Sequence, residues 1–272
     1  MRVGLVLGGG GAKGSFQAGV IKGLVENGLE ISAIVGTSVG ALNGALTTVN
    51  KVSEMIKLWE SIDEDNTFYP NYRAGKTYGM LVKGSLYSND WLRKNISEYV
   101  SALSLLESEI YYGCVSSDLV SGKSVFKSNC EGIDLREYIL ASASLPPAFP
   151  QVKISGYSLV DGGLTSPIPV SEILSFQDIN LDKIIIIPAG KTEIDYDQPN
   201  NFIESSLRVI DVMYNSILSK TLEKGIAKYW SANKMFSILE PVKNTVSTLE
   251  CNHNKILDFI EEGYLIGKNF VG

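Results

Sequence analysis

Histidine occurs once in this chain, at His253, and cysteine at only three positions, Cys114, Cys130 and Cys251. The cysteines have no metal-ligand spacing, so neither a zinc site nor another metal centre is expected. Their odd count allows one disulfide at most, and buried thiols in a reducing compartment fit better. Nowhere do 18 apolar residues run together, which excludes a membrane-spanning helix on sequence grounds. The opening Met1-Arg2-Val3-Gly4-Leu5-Val6-Leu7-Gly8 has too short an apolar run for a signal peptide and enters a glycine turn at once. There is no long basic run, and 24 Lys and Arg against 30 Asp and Glu give a net charge of −6. Nucleic-acid binding is disfavoured by that balance, and strong attraction to an anionic membrane is not indicated. No repeat or low-complexity tract appears. These absences make a cytoplasmic protein the expectation.

What remains is an ordinary globular composition, 44% hydrophobic and 20% charged over 272 residues. That length suits one large α/β domain or two small ones. The pattern predicts a short buried strand over 3–7, then the loop Gly8-Gly9-Gly10-Gly11-Ala12-Lys13-Gly14, then a helix over about 15–27. Gly19 and Gly23 are costly inside that helix unless another element packs close. A second strand over 31–36 leads into Gly36-Thr37-Ser38-Val39-Gly40. This stretch matches G-x-S-x-G, a sharp strand-to-helix turn that projects a serine hydroxyl at the top of a sheet. The glycines leave room for strand and helix on either side. The helix N-terminus beneath the serine favours developing negative charge. Two strands alternating with helices argue for a parallel α/β sheet.

Further along, helices are expected over 51–59 and 85–100, separated by an irregular aromatic-rich excursion over 63–92. Strands over 109–115 and 123–127 form a hairpin-like pair, and Asp134 caps a helix running to Ala143. Pro146, Pro147 and Pro150 end that stretch, and a strand over 157–160 runs into Asp161-Gly162-Gly163. Ile184-Ile185-Ile186-Ile187 reads as a fully buried strand. A long helical stretch over 202–234 carries Tyr214 among residues at core spacing. A last strand is expected over 235–239 and a closing helix over 254–265.

The glycine loop admits two readings. Gly9-Gly10-Gly11-Ala12-Lys13-Gly14 satisfies G-x-G-x-x-G after a strand, as a dinucleotide site would. The acid expected at the end of the second strand is missing, because Gly36-Thr37-Ser38 stands there. A P-loop fails because Gly14, not Ser or Thr, follows Lys13. A phosphate nest remains the alternative. Beside Ser38 the loop makes a different sense: consecutive glycine amides can converge on an oxyanion, with Lys13 bracing the loop. Asp161, leaving a strand, is the matching candidate for a base.

Taken together and in order, four segments resemble the patatin-like phospholipase family: the Gly9 to Gly14 loop, the Gly36 to Gly40 elbow, the Ala141-Ser142 and Phe149-Pro150 segment, and Asp161-Gly162-Gly163. The resemblance covers about residues 3–171. It implies a three-layer α/β/α sandwich around a mostly parallel central sheet. The whole chain, 1–272, would be one such domain, with 172–272 completing it. It also implies a lipid acyl hydrolase acting on phospholipids or related lipids through a Ser-Asp dyad and an acyl-enzyme. Ser38 would be the nucleophile and Asp161 the general base. The amides of Gly9, Gly10 and Gly11 would form the oxyanion hole, supported by Lys13, Gly14, Gly36, Gly40, Gly162 and Gly163. No metal or organic cofactor is expected. The lipid would be met at a membrane surface, with the apolar residues over 68–86 as the contact and a cytoplasmic, peripherally attached protein as the setting. Two other classes stay open, a nucleotide or phosphate binder using the loop and a non-catalytic interaction protein. A Ser-His-Asp esterase using His253 is also open, since the order Ser38, Asp161, His253 is that of an α/β-hydrolase triad. An aspartate base predicts activity that falls at acid pH.

Overall fold

Strand β1 (Val3–Leu7) has every side chain buried, and it sits inside the sheet between β2 (Ile31–Thr37) and β7 (Lys183–Ile187), parallel to both. The computed structural model describes residues 1–62, 85–176, 178–191, 198, 205, 208–209, 212–221, 223, 235–243, 246–248 and 250–271. The segment expected as a lipid contact, 68–86, therefore falls almost wholly outside the described residues. So does most of the long helical stretch expected over 202–234.

Among the described residues the sheet has eight strands. The remaining five are β3 (Tyr111–Asp118), β4 (Ser124–Ser128), β5 (Val152–Ile154), β6 (Tyr157–Asp161) and β8 (Met235–Ile238). The order is β5-β6-β3-β2-β1-β7-β8, with β4 also paired to β3. Strands β3, β2, β1, β7 and β8 are parallel neighbours, whereas β4, β5 and β6 join antiparallel. The sheet is thus mostly parallel, as expected.

Alternate side chains of the central strands feed two cores. Leu5, Leu7, Ile34, Ile185 and Ile187 enter one, and Val6, Val35, Ile184 and Ile186 the other. Four consecutive isoleucines are tolerated because both faces of β7 are covered. The first face carries α1 (Gly14–Glu26), α2 (Val39–Thr48), α3 (Val52–Glu60), α4 (Asp90–Tyr99), α5 (Ala102–Leu106), α6 (Arg136–Ser142) and α8 (His253–Lys268). The opposite face carries α7 (Val170–Ile173) and, through Leu218, the helical stretch 212–221. Helices on both faces of a sheet make the three layers.

The helix glycines find their reason in α8. A Cβ at Gly19 would lie 2.0 Å from the Ile260 carbonyl oxygen, and one at Gly263 would lie 2.2 Å from that of Phe16. The two helices pack backbone against backbone, and Phe16 packs tilted against Phe259 with ring centroids 5.4 Å apart. The close partner that Gly19 and Gly23 required is therefore the last helix of the chain.

One feature of the register places the site. Gly113, Cys114 and Val115 of β3 pair with β2 on one edge and β4 on the other. Ser116 and Ser117 pair with β4 and β6. Strands β2 and β6 therefore share one edge of β3 and run towards each other. Thr37 stands opposite Val115, and Asp161 opposite the next residue, Ser116. Two chain segments more than a hundred residues apart are delivered end to end.

Candidate active site

Ser38 follows the last residue of β2 and caps α2, with φ 56° and ψ −125°. A non-glycine residue held there is strained, and the surroundings must over-determine it. They do so by close packing: a Cβ at Gly36 would meet the Gly40 carbonyl oxygen at 2.2 Å, and one at Gly40 would meet that of Leu7 at 2.4 Å. No other residue fits either position. Three hydrogen bonds complete the hold. The Ser38 amide donates to Ser142 Oγ at 2.8 Å, Ser142 in turn donates to the Val115 carbonyl, and Thr37 Oγ1 donates to the Ser166 carbonyl at 2.8 Å.

The Ser38 hydroxyl donates to Asp161 Oδ2 at 2.5 Å. The other carboxylate oxygen, Oδ1, accepts the Gly163 amide at 2.7 Å. Asp161 is also tied through its own amide to the Ser144 carbonyl at 3.0 Å. Gly162 packs on β3, where a Cβ would lie 2.2 Å from the Val115 carbonyl oxygen. Ser38 and Asp161 are 7% and 4% exposed. Burial raises the Asp161 pKa from 3.8 to about 7, against the opposing pull of the bonds from Ser38 and Gly163. A carboxylate titrating near neutrality is far better matched to taking a proton from a serine than one near 4.

The glycine loop lies across from this pair, and its carbonyls are tied back. Gln17, buried in α1, donates through Nε2 to the Gly8 and Ile187 carbonyls, both at 2.8 Å. Tyr214 donates its hydroxyl to the Gly9 carbonyl, and the Lys13 amide donates to that of Gly10 at 3.4 Å. The amides divide differently. That of Gly9 donates to Pro167 at 3.0 Å, and that of Ala12 to Thr248 at 2.9 Å. Among the described residues, no hydrogen-bond partner is recorded for the amides of Gly10 and Gly11. Gly10 and Gly11 have φ of 153° and 59°, the region that favours glycine. Lys13 is buried, and Gly14 packs so closely on α2 that a Cβ would lie 2.3 Å from Val39 Cγ2.

Two cavities meet at Ser38, and both are bounded by Gly11 and Thr248 as well. One, of about 150 Å³, is walled by Leu42, Leu46, Met55, Trp59, Trp91 and Ile96 from α2, α3 and α4. The other, of about 250 Å³, holds Asp161, the three loop glycines, Lys13, Lys191 and Tyr214. An elongated molecule with an apolar arm could place its reacting bond at the junction. Among the described residues no cluster of three or more His, Cys, Asp and Glu could hold a metal ion. No described helix is long and apolar enough to cross a membrane.

His253 is the first residue of α8 and is exposed. The serine hydroxyl donates directly to the carboxylate, with no imidazole between them. Sequence reading gave no role to Ser142, Gln17 or Tyr214. Ser142 lay in a recognised segment, and Gln17 is a polar residue on a helix otherwise rich in apolar ones. The spacing of Tyr214 reads as core, and nothing in it signals a role for the hydroxyl.

A family model for patatin-like phospholipase matches residues 5–174. An uncharacterized NTE family protein of Mycobacterium tuberculosis (strain H37Rv) is 28% identical over 197 residues, 71% of this chain and 50% of that protein. Lysophospholipase NTE1 of Kluyveromyces lactis is 31% identical over 63% of this chain and 12% of its own length. Patatin-like phospholipase domain-containing protein 7 of Rattus norvegicus is 30% identical over 61% and 12%. The chain spans half or less of the length of these curated relatives.

Proposed function

This chain belongs to the patatin-like phospholipase family, and on that premise we propose that it is a serine lipid acyl hydrolase working through the Ser38-Asp161 pair. The observation that carries the reading is the 2.5 Å hydrogen bond from Ser38 to a buried carboxylate, made at a strained turn on the N-terminus of α2. The names of two relatives, a lysophospholipase and a phospholipase domain protein, support lipid esters as the substrate class.

In the first half-reaction Ser38 Oγ attacks the acyl carbonyl carbon as its proton passes to Asp161 Oδ2. The carbonyl oxygen becomes an oxyanion, and the amides of Gly10 and Gly11 supply its hydrogen bonds. The Gly9 amide is committed to Pro167, so Gly9 serves the hole by holding the loop's backbone in place. The positive end of α2 adds to the stabilisation. Collapse of the intermediate breaks the ester C–O bond, and protonated Asp161 returns its proton to the leaving alkoxide. In the second half-reaction Asp161 takes a proton from water as the water oxygen attacks the acyl carbon. The intermediate collapses by breaking the bond to Ser38 Oγ, which takes that proton back from Asp161, and the fatty acid leaves. The apolar cavity takes the acyl chain. The lipid is met at a membrane surface.

The test is fatty-acid release from mixed phospholipid vesicles at neutral pH by the parent chain, Ser38→Ala and Asp161→Ala. Release lost in both folded variants supports the dyad. Release that survives Ser38→Ala ends the reading.

A further inference from the structure

The loop that supplies the oxyanion donors has no side chains of its own with which to fix its peptide planes. Its orientation has to come from what holds its carbonyls. In a trans peptide the C=O of one residue and the N–H of the next point in opposite directions. The carbonyl of Gly9 and the amide of Gly10 belong to one such trans unit, and the carbonyl of Gly10 and the amide of Gly11 to the next. Pinning each carbonyl on one side therefore aims the following amide to the other.

The three pins differ in origin. Gln17 holds the Gly8 carbonyl from α1, directly behind the loop. The Lys13 backbone amide holds the Gly10 carbonyl from within the same turn. The Gly9 carbonyl is held from 205 residues away by the hydroxyl of Tyr214. That hydroxyl also lies 3.1 Å from the Pro167 carbonyl, which accepts the Gly9 amide. With one hydrogen to give, it serves Gly9, the nearer oxygen. The ring of Tyr214 braces both halves of the site. Its Cε2 lies 3.4 Å from where a Cβ of Gly9 would stand and 3.0 Å from that of Gly163, whose amide holds Asp161.

We infer that Tyr214 is a positioning residue of the hydrolase: by holding the Gly9 carbonyl it aims the Gly10 amide at the oxyanion. This inference rests on the hydrolase reading. It assigns the tyrosine a job in the transition state and none in substrate binding. Loosening the Gly9-Gly10 peptide weakens a bond that matters most when charge has developed on the substrate oxygen.

The experiment compares the parent, Tyr214→Phe and Ser38→Ala with p-nitrophenyl butyrate as substrate and an alkyl trifluoromethyl ketone as inhibitor. The ketone forms a hemiketal oxyanion on the serine and so reports the hole directly. Phenylalanine keeps the ring and its packing and removes only the hydroxyl. The expected result is a fall of about ten- to a hundredfold in kcat with KM changed by no more than about threefold. Ketone affinity should fall by about the same factor as kcat/KM. The acid limb of the pH profile, set by Asp161, should stay where the parent has it, and the melting temperature should not move. Parent-like kcat and ketone affinity in Tyr214→Phe would overturn the inference. So would a loss of activity that tracks a lower melting temperature while ketone affinity is unchanged. If instead the parent is no more active than Ser38→Ala, the hydrolase reading itself falls and takes this inference with it.

Discussion

Of the two cavities that meet at Ser38, one is walled mainly by bulky apolar side chains, and the other holds the loop glycines and Asp161 among apolar residues such as Leu145, Leu164 and Ile217. Leu42, Leu46, Met55, Trp59, Trp91 and Ile96 shape the first by bulk alone. In the second, the loop glycines, the Asp161 carboxylate and the Tyr214 hydroxyl are placed by hydrogen bonds, some local, such as Gly163 to Asp161, and some from distant segments, such as Tyr214 to Gly9. An apolar wall discriminates by size, and a lost methylene changes binding by only a few kcal/mol at most. A polar site depends on orientation, where a single misplaced donor costs orders of magnitude in rate. Substitutions on the two sides should therefore fail in different ways and by different amounts.

The largest effects belong to the polar side. Ser38→Ala and Asp161→Asn should each lower kcat for phospholipid hydrolysis by about 10⁴-fold or more. A fluorophosphonate probe should label the parent and not Ser38→Ala. A chain that only bound nucleotide would ignore the probe and gain thermal stability with nucleotide.

On the apolar side we expect selectivity to change before rate does. Leu42→Trp adds bulk to the wall of the smaller cavity, one helical turn from Ser38. It should lower kcat/KM for long acyl esters about tenfold or more, with butyrate esters within about threefold of the parent. Parent-like activity on both chain lengths would assign the acyl chain to the other cavity.

Asp161 links the polar side to pH in two ways. Its carboxyl titrates at about 7 in the folded chain against 3.8 ordinarily. Rate should therefore fall as pH drops through 7, and a flat profile from 4 to 8 would remove Asp161 as base. Stability runs the other way. The protonated form is the one burial favours, so its contribution is complete below about 4 and is lost as pH rises through 7. The span is on the order of 4 kcal/mol. Asp161→Asn should thus melt higher than the parent at pH 8, with the gap shrinking towards pH 5.

The parts legible in the sequence share a cause. Strand β1 was expected over 3–7 and stands at Val3–Leu7, and β7 was read from four isoleucines, because full burial leaves an uninterrupted apolar signature. Ser38 was legible because its turn admits only glycine on either side. The short elements α5, α7 and β5 were not foreseen, since three to five residues give no period to detect. The meeting of β2 with β6 was also out of reach, since it depends on how both register along β3. The same holds for the Gly9 amide, whose partner is Pro167. Tyr214 shows the limit most clearly. Its spacing reads as core, and its ring does pack, but spacing carries no information on which carbonyl its hydroxyl meets.

The smallest effect we expect sharpens the contrast from outside both cavities. His253 follows Glu250, which lines the apolar cavity, by only three residues, and chain order alone would offer it as the imidazole of a triad. Yet it is exposed at the start of α8, while Asn252 caps that helix by accepting the Lys255 amide at 3.1 Å. A triad histidine would stand between serine and acid, and here those two groups are in direct contact. His253→Ala should therefore retain kcat/KM on phospholipid vesicles within about twofold and leave the acid limb near 7 unmoved. Because exposed surface substitutions away from special features cost within about 0.5 kcal/mol, the melting temperature should hardly move. A loss approaching that of Ser38→Ala would mean that the chain rearranges to bring the imidazole to Ser38 during turnover, and Asp161 would then orient a base instead of being one.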